Sequence, residues 1–225
     1  AVLNQTSKYG QEVIVRAGSY NMSKTTLMKT DHGSLKSENG SAFTVVHLNN
    51  TRFLYVNPKE EGYSLGVLEG FTFKKQNIGA KLQNSFDYRD GGILFFKNID
   101  HSVILRDLKF INSHGAENTY GGAIAIASSA GPFLISHSVF EGNYVTGKNS
   151  GGGAIAIMDG GRLQLEKVTF KNNNAVNSAE GGALYASNAY NGIKGERPLL
   201  DIKGTVFMSN RASSSQGGAM SVLET

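Results

Sequence analysis

The chain has 225 residues, of which 40% are hydrophobic, enough for one continuous core, and its 28 glycines far outnumber its 3 prolines. Because there is no cysteine, disulfides and thiolate-bound metal ions are excluded. The 22 basic and 18 acidic residues give a net charge of +4 but are interspersed, without the basic stripe of a nucleic-acid-binding protein, and no apolar run approaches the roughly 18 residues of a membrane-spanning helix.

The N-terminal part, residues 1–62, is predicted to form irregular first turns of the fold or a cap. Residues 11–20, QEVIVRAGSY, favour a short strand, a glycine turn and a tyrosine. Residues 42–56, AFTVVHLNNTRFLYV, predict two more short strands around Asn49 and Asn50. Residues 58–62 are predicted to be a loop, because they contain a proline, three charged residues and a glycine.

From residue 63 onward the chain reads as a repeat array with two motifs, a glycine pair and a Phe-x-x-Asn (FxxN). The glycine pairs recur at intervals of 30, 31, 29 and 36 residues: Gly91-Gly92, Gly121-Gly122, Gly152-Gly153, Gly181-Gly182 and Gly217-Gly218. The FxxN motifs are Phe140/Asn143, Phe170/Asn173 and Phe207/Asn210, with degenerate copies at Phe110/Ser113 and Phe73/Gln76. A fixed period of 20 to 50 residues indicates a solenoid.

Apolar side chains recur at every second position inside each repeat, which is typical of β-strands and indicates a β-solenoid. After the glycine pairs, apolar residues align in one column: Leu94, Ile124, Ile155, Leu184 and Met220. A second apolar column lies five residues before each Phe: Leu68, Leu105, Ile135, Leu165 and Ile202. We therefore predict one all-β domain over residues 1–225, a right-handed parallel β-helix of about seven turns (rungs), with stacked Phe and Asn ladders.

Two insertions interrupt the regular spacing and are the candidate binding loops. The first adds about seven residues between residues 77 and 90 and contains Phe86, Tyr88 and Arg89. The second, residues 188–198, contains Tyr190, Lys194 and Arg197. Insertions of this kind map to loops of a solenoid, and exposed aromatic and arginine side chains are enriched in binding hot spots. The alternative for both is an ordinary solvated loop, with Phe86 tucked against the β-helix.

The repeat motifs carry a resemblance to a known family. GGAI at 121–124 and 152–155, GGAL at 181–184, GGAM at 217–220, FEGN at 140–143, FKNN at 170–173 and FMSN at 207–210 resemble the repeats of the chlamydial polymorphic membrane proteins. The resemblance covers residues 66–222 and implies a surface-exposed or secreted autotransporter passenger that adheres to a host-cell protein or glycan. It also implies that the passenger meets a membrane only through a C-terminal barrel, which this sequence does not contain.

Two other functions remain open at this stage. Pectin-lyase-like β-helices include polysaccharide lyases and hydrolases, but no Asp or Glu recurs at one repeat position in adjacent repeats, so we expect no enzyme activity and no cofactor. The five histidines are not at ligand spacing, so no metal site is expected. The other alternative is that the chain is a structural module that self-associates through open β-helix ends. The sequence stops mid-repeat at GGAMSVLET, and the array is expected to continue in the parent chain.

Overall fold

The computed structural model describes residues 10–27, 33–49, 51–61, 64–76, 91–117, 119–148, 150–177, 179–190, 193–195, 197–213 and 217–223. Within these ranges the regular structure is β-strand, numbered β1 to β27 in chain order, apart from one helical turn, α1 (Pro58–Glu61). A loop was predicted over residues 58–62, and the helical turn forms there because Pro58 occupies the first helical position, where its missing N–H costs nothing.

Three sheets contain seven parallel strands each. Sheet 1 consists of β1 (Glu12–Val15), β4 (Gly33–Ser37), β7 (Leu65–Glu69), β10 (Val103–Arg106), β14 (Pro132–Ser136), β18 (Arg162–Glu166) and β24 (Leu199–Lys203). Sheet 2 consists of β2 (Gly18–Met22), β5 (Thr44–Asn49), β8 (Thr72–Gln76), β11 (Lys109–Ile111), β15 (Val139–Glu141), β19 (Thr169–Lys171) and β25 (Val206–Met208). Sheet 3 consists of β3 (Thr26–Leu27), β6 (Leu54–Val56), β9 (Leu94–Lys97), β13 (Ile124–Ala127), β17 (Ile155–Met158), β21 (Leu184–Ser187) and β27 (Met220–Leu223).

Each coil of the chain adds one strand to each of these three sheets, which confirms the predicted parallel β-helix of seven rungs. Strand order within a sheet follows the sequence order of the rungs. The apolar columns predicted from the sequence pair in register, for example Leu105 with Leu68 and Ile135, and Ile124 with Leu94 and Ile155. These residues are fully buried and belong to one continuous core. The repeat therefore fixes the register, because a slip of one residue would move every apolar side chain to the outside.

The sequence did not predict a fourth sheet, which lies between sheet 2 and the glycine pairs. It contains β12 (His114–Glu117), β16 (Tyr144–Thr146), β20 (Asn174–Val176) and β26 (Arg211–Ala212). These strands have two to four residues, too few for a period to be visible. A separate antiparallel pair, β22 (Ala189–Tyr190) with β23 (Ile193–Lys194), stands outside the four sheets.

The outer face of sheet 3 is also buried. A column that points away from the core, formed by Tyr55, Phe95, Ala125, Ala156 and Tyr185, makes a second apolar cluster. Tyr120, which directly precedes the pair Gly121-Gly122, packs against this cluster. Tyr120 stacks on Tyr185 with ring centroids 5.4 Å apart. All four residues of β9, β13, β17 and β21 are therefore buried, except Lys97 in β9.

Candidate functional site

Each glycine pair makes a corner that a side chain would block. In the pair Gly152-Gly153, Gly152 has a φ of 71°, a conformation that glycine adopts without strain. A Cβ on Gly153 would overlap the carbonyl oxygen of Gly182 in the next rung. The first glycine therefore turns the chain and the second lets neighbouring rungs approach. The same two features recur at the pairs Gly91-Gly92, Gly121-Gly122 and Gly181-Gly182.

The repeat phenylalanines form a continuous aromatic stack inside the β-helix. Phe110, Phe140, Phe170 and Phe207 follow Phe73 in register. Successive ring centroids lie 4.7–5.4 Å apart and the ring planes are within 24° of parallel. The rings of Phe73, Phe110, Phe140 and Phe170 are fully buried, so these residues stabilise the rod and are out of reach of a partner.

The repeat asparagines form a hydrogen-bonded ladder beside the Phe stack. The Oδ1 of Asn173 accepts hydrogen bonds from the backbone N–H of Asn143, at 3.0 Å, and from its side-chain amide, at 2.9 Å. The Nδ2 of Asn173 donates to the Phe140 carbonyl at 2.9 Å and to the Oδ1 of Asn210 at 2.9 Å. Ser113 joins the ladder at its start, where its N–H donates to the Oδ1 of Asn143. The motif residues thus link rungs to one another.

In the second insertion, predicted as a binding loop, the described residues include a short antiparallel strand pair. Ala189 pairs with Lys194 and Tyr190 with Ile193, in antiparallel orientation. The two residues between the pairs are Asn191 and Gly192 in the sequence, the dipeptide most favoured for a tight hairpin turn. This dipeptide was the signal that the spacing argument missed. Tyr190 and Lys194 therefore lie on paired strands.

The base of the hairpin is fixed to the rod. The N–H of Gly195 donates to the carbonyl of Asn188, at 2.6 Å, and Asn188 itself is buried. Gly195 packs on the carboxylate of Asp159 in the preceding rung, so closely that a Cβ would overlap Oδ1. Asp159 is in turn fixed by the hydroxyl of Ser128, which donates to its Oδ2 at 2.7 Å. The base of the hairpin therefore packs directly on the preceding rung, and exposed Arg197 follows just after it.

The other candidate binding residues, Phe86, Tyr88 and Arg89, lie outside the described residues. The structure describes the chain up to Gln76, at the end of a strand of sheet 2, and again from Gly91, which leads into sheet 3. The two flanks of this segment are joined by Lys75, whose Nζ donates to the carbonyls of Gly92, at 2.9 Å, and His114, at 3.1 Å.

Lys75 is a buried cation that the sequence analysis did not single out. Its side chain and that of Arg52 are 7% and 8% exposed. Burial, together with the neighbouring Arg52 guanidinium, lowers the pKa of Lys75 from 10.5 to about 7. Burial and the charge of Lys75 lower the pKa of His114 to about 4. Arg52 donates from Nε to the Gly91 carbonyl at 2.8 Å, so the two cations bind backbone carbonyls at the same corner.

Several of the described acidic side chains make contacts within the fold. Asp107 accepts hydrogen bonds from the N–H and hydroxyl of Ser41, at 3.0 and 2.7 Å. Asp201 pairs with Lys203 and Arg162, at 3.1 and 3.6 Å. Within the described ranges, no three His, Cys, Asp or Glu side chains are close enough together to hold a metal ion. No helix of the described chain is long and apolar enough to cross a membrane.

The fold and its corners define a class, a parallel β-helix built from rungs that carry a glycine pair and an FxxN motif. Residues 167–187, which contain Phe170, Asn173 and the pair Gly181-Gly182, match the family model of the Chlamydia polymorphic membrane protein (Chlamydia_PMP) repeat. This match supports the resemblance to the chlamydial polymorphic membrane protein type that the motifs predicted, and it covers one repeat of the chain. No curated protein and no solved structure gave a significant match to it.

Proposed function

We propose that the chain is a surface-exposed or secreted passenger segment of an adhesin, and that it binds a host-cell protein or glycan through the hairpin of residues 188–198. The observation that carries this proposal is the fixation of the hairpin base by Asn188, Asp159 and Gly195. A binding element that is ordered before it meets its partner loses less conformational entropy on binding. Tyrosine and arginine, which the hairpin contains, are residues that commonly dominate binding energy.

A non-catalytic role is part of the proposal. It is supported by the contacts of three carboxylates. Asp107 accepts a hydrogen bond from Ser41, and Asp159 accepts one from Ser128. Asp201 forms ion pairs with Lys203 and with Arg162. A polysaccharide hydrolase needs two carboxyl groups that converge on one bond, one of them free to donate a proton. An assay for reducing or unsaturated sugars, run on acidic and neutral polysaccharides with and without calcium, tests this part.

The binding experiment uses the whole chain and measures saturable attachment to cultured host cells and to immobilised glycans. Replacing Tyr190, Lys194 and Arg197 together by Ser is expected to weaken attachment about tenfold or more, the loss of one hot-spot contact. Lys148→Ser, an exposed lysine in the turn after β16, is the matched control and should leave attachment unchanged. Unchanged attachment of the triple variant would overturn the role of the hairpin.

A second triple variant separates the two candidate regions. Replacing Phe86, Tyr88 and Arg89 by Ser tests the first insertion in the same assay. If this variant alone loses attachment, the chain is an adhesin that acts through the first insertion and the hairpin proposal fails. If no variant changes attachment and no sugar is released, the adhesin proposal fails as a whole.

A further inference from the structure

The outer face of sheet 1 is open, in contrast to the buried outer face of sheet 3. Its outward side chains from Val67 to Lys203 are exposed or half-buried, apart from Ser136, which is 4% exposed. Strand pairing in register arranges these side chains in columns along the rod, with one residue per rung. Two of the columns, one charged and one largely apolar, determine which partner fits this face.

The charged column alternates in sign. Along the rod it contains, in consecutive rungs, Glu69, Arg106, Ser136, Glu166 and Lys203. The charges are therefore negative, positive, none, negative and positive. Reversing the direction of the column inverts every sign, so the column is complementary to a reversed copy of itself about Ser136. Lys36 continues the alternation in the preceding rung, where it pairs with Glu12, and lies outside this matched stretch.

A two-fold axis through Ser136, parallel to the strands, places a second copy face to face with the first and antiparallel to it along the rod. Arg106 then faces Glu166 of the second copy, and Glu69 faces Lys203 of the second copy. Both contacts recur on the other side of the axis, because a two-fold interface is self-complementary. A parallel copy in register fits less well, because it brings like charges to the same level.

The charged groups at each end of this interface form a network. Within one copy, Arg106 donates from Nε and Nη2 to the carboxylate oxygens of Glu69, at 3.0 and 2.7 Å. A guanidinium group has five N–H donors, so Arg106 has donors left for Glu166 of the second copy. Lys203 of the second copy adds a positive charge opposite Glu69. Networks of this kind contribute more to binding than isolated surface ion pairs do.

The apolar column supplies the centre of the interface. Val67, Ile104 and Leu134 are half-buried and lie in register, followed by Gln164 and Asp201. The same axis places Leu134 opposite Leu134 of the second copy, and Ile104 opposite Gln164. Val67 and Asp201 meet at the rim. An apolar centre with a charged rim is the usual arrangement of a protein–protein interface.

The size of the matched stretch determines how strong the contact is. It spans five rungs, about 20 Å along the rod, and about 17 Å along a five-residue strand. It covers about 350 Å² per copy, less than half of the roughly 800 Å² that each partner contributes to a stable interface. The contact is therefore weak between two free chains and becomes effective where many chains are held on one surface.

We propose that the outer face of sheet 1 binds the same face of a second copy, antiparallel to it and centred on Ser136. Rods that project from two facing surfaces meet in this antiparallel orientation, so the partner is a copy of this chain on an opposing surface. The inference concerns a lateral contact between copies. It is independent of attachment to host surfaces and of association through the ends of the β-helix.

The test exchanges the charges of one opposing pair. The whole chain is coupled to microscopic beads through a C-terminal tag, and bead clustering is measured at low ionic strength. Arg106→Glu places two carboxylates opposite each other, and Glu166→Arg places two guanidinium groups opposite each other, so each variant alone should reduce clustering about tenfold or more. Beads of the two variants mixed together should cluster like the wild type, because the opposing pairs are restored with their signs exchanged. Recovery in the mixture also shows that both variants are folded.

The matched control is Lys74→Glu, which makes the opposite-sign substitution on the outer face of sheet 2 and should cluster like the wild type. Raising the ionic strength from about 0.05 M to about 0.5 M should weaken wild-type clustering. Absence of clustering in the wild type, unchanged clustering of Arg106→Glu beads, or a mixture no better than its components would overturn the proposal. Attachment of Arg106→Glu to host cells should be unchanged, which separates this proposal from the adhesin proposal.

Discussion

The Asn173 side chain makes four hydrogen bonds, to Asn143, Phe140 and Asn210, inside a buried ladder. Asn173→Ala leaves several buried donors and acceptors without partners, and each of these costs about 1–3 kcal/mol. We expect the free energy of unfolding to fall by about 3 kcal/mol or more, measured by urea denaturation. Asn174→Ala is the control. Its amide makes one exposed bond, to the Asn172 carbonyl at 3.2 Å, so it should lose less than about 0.5 kcal/mol.

Lys75 makes stability depend on pH. Because its pKa falls from 10.5 to about 7 on folding, the unfolded chain binds the extra proton between those two values. The contribution of Lys75 to stability is therefore least favourable below about pH 7 and becomes more favourable as the pH increases from 7 toward 10.5. In Lys75→Met this contribution is absent. As the pH rises from about 7 to about 10, the melting temperature of the wild type should therefore increase relative to that of Lys75→Met.

The control for Lys75 is its neighbour Lys74, which is exposed on the same strand. Lys74→Met should follow the wild-type pH dependence. Parallel curves for the wild type and Lys75→Met would show that the Lys75 ammonium stays protonated in the folded chain throughout this range, and would contradict the prediction.

At the scale of elements, the Phe stack contributes more to stability than an exposed aromatic ring does. Phe140 is fully buried between Phe110 and Phe170, at centroid distances of 4.7 and 4.9 Å, whereas Phe43 is 63% exposed. Phe140→Ala should cost about 3–5 kcal/mol, because it leaves a cavity in a packed core. Phe43→Ala should cost less than about 1 kcal/mol. Equal losses in thermal or urea denaturation would show that the stack is not the source of this stability.

The hairpin is predicted to depend on a single close contact at its base. Gly195→Ala forces either the hairpin or the Asp159 side chain to move, so amide exchange at Ala189 and Lys194 should become faster while β17 and β18 stay protected. Asp159→Gly in the same background removes the overlap, and glycine suits the φ of 57° at that position, so protection should return. Unchanged exchange in Gly195→Ala would contradict the predicted contact.

The elements that repeat were the ones that could be predicted from the sequence. Phe140, Asn143 and Gly152 recur at fixed intervals, and since parallel stacking brings equal positions together, their ladders follow from spacing alone. Features that occur once have no such signal. The burial of Lys75 depends on the corner that it spans between Gly92 and His114. The Asn191-Gly192 dipeptide favours a hairpin turn but occurs only once, so it leaves no trace in the repeat spacing. The buried outer face of sheet 3 depends on where the preceding segment folds, which periodicity does not encode.

At the scale of the whole molecule, strand pairing joins each rung to its immediate neighbours, so protection should be graded along the rod. Rungs with two neighbours, such as those containing β15 and β19, bury their core completely, whereas the rung of β24 and β25 has one described neighbour. In a solenoid, local stability is approximately the sum of the intrinsic stability of a rung and the free energies of its interfaces with neighbouring rungs. Amide exchange followed by mass spectrometry should therefore be slowest at β15 and β19 and fastest in the two end rungs, at β2 and β25. Uniform protection throughout would indicate a single cooperative unit.

The hydrogen bonds that join the rungs run along the length of the rod, which has a mechanical consequence. A force applied between the two ends acts on all of these rung–rung interfaces in series, so the interfaces are expected to separate one after another. A rung of about 30 residues occupies about 5 Å of the intact rod but spans about 100 Å when extended. Under load, such a rod would lengthen in a series of unfolding steps of similar length. Each step would dissipate mechanical energy while the two ends of the rod stay attached.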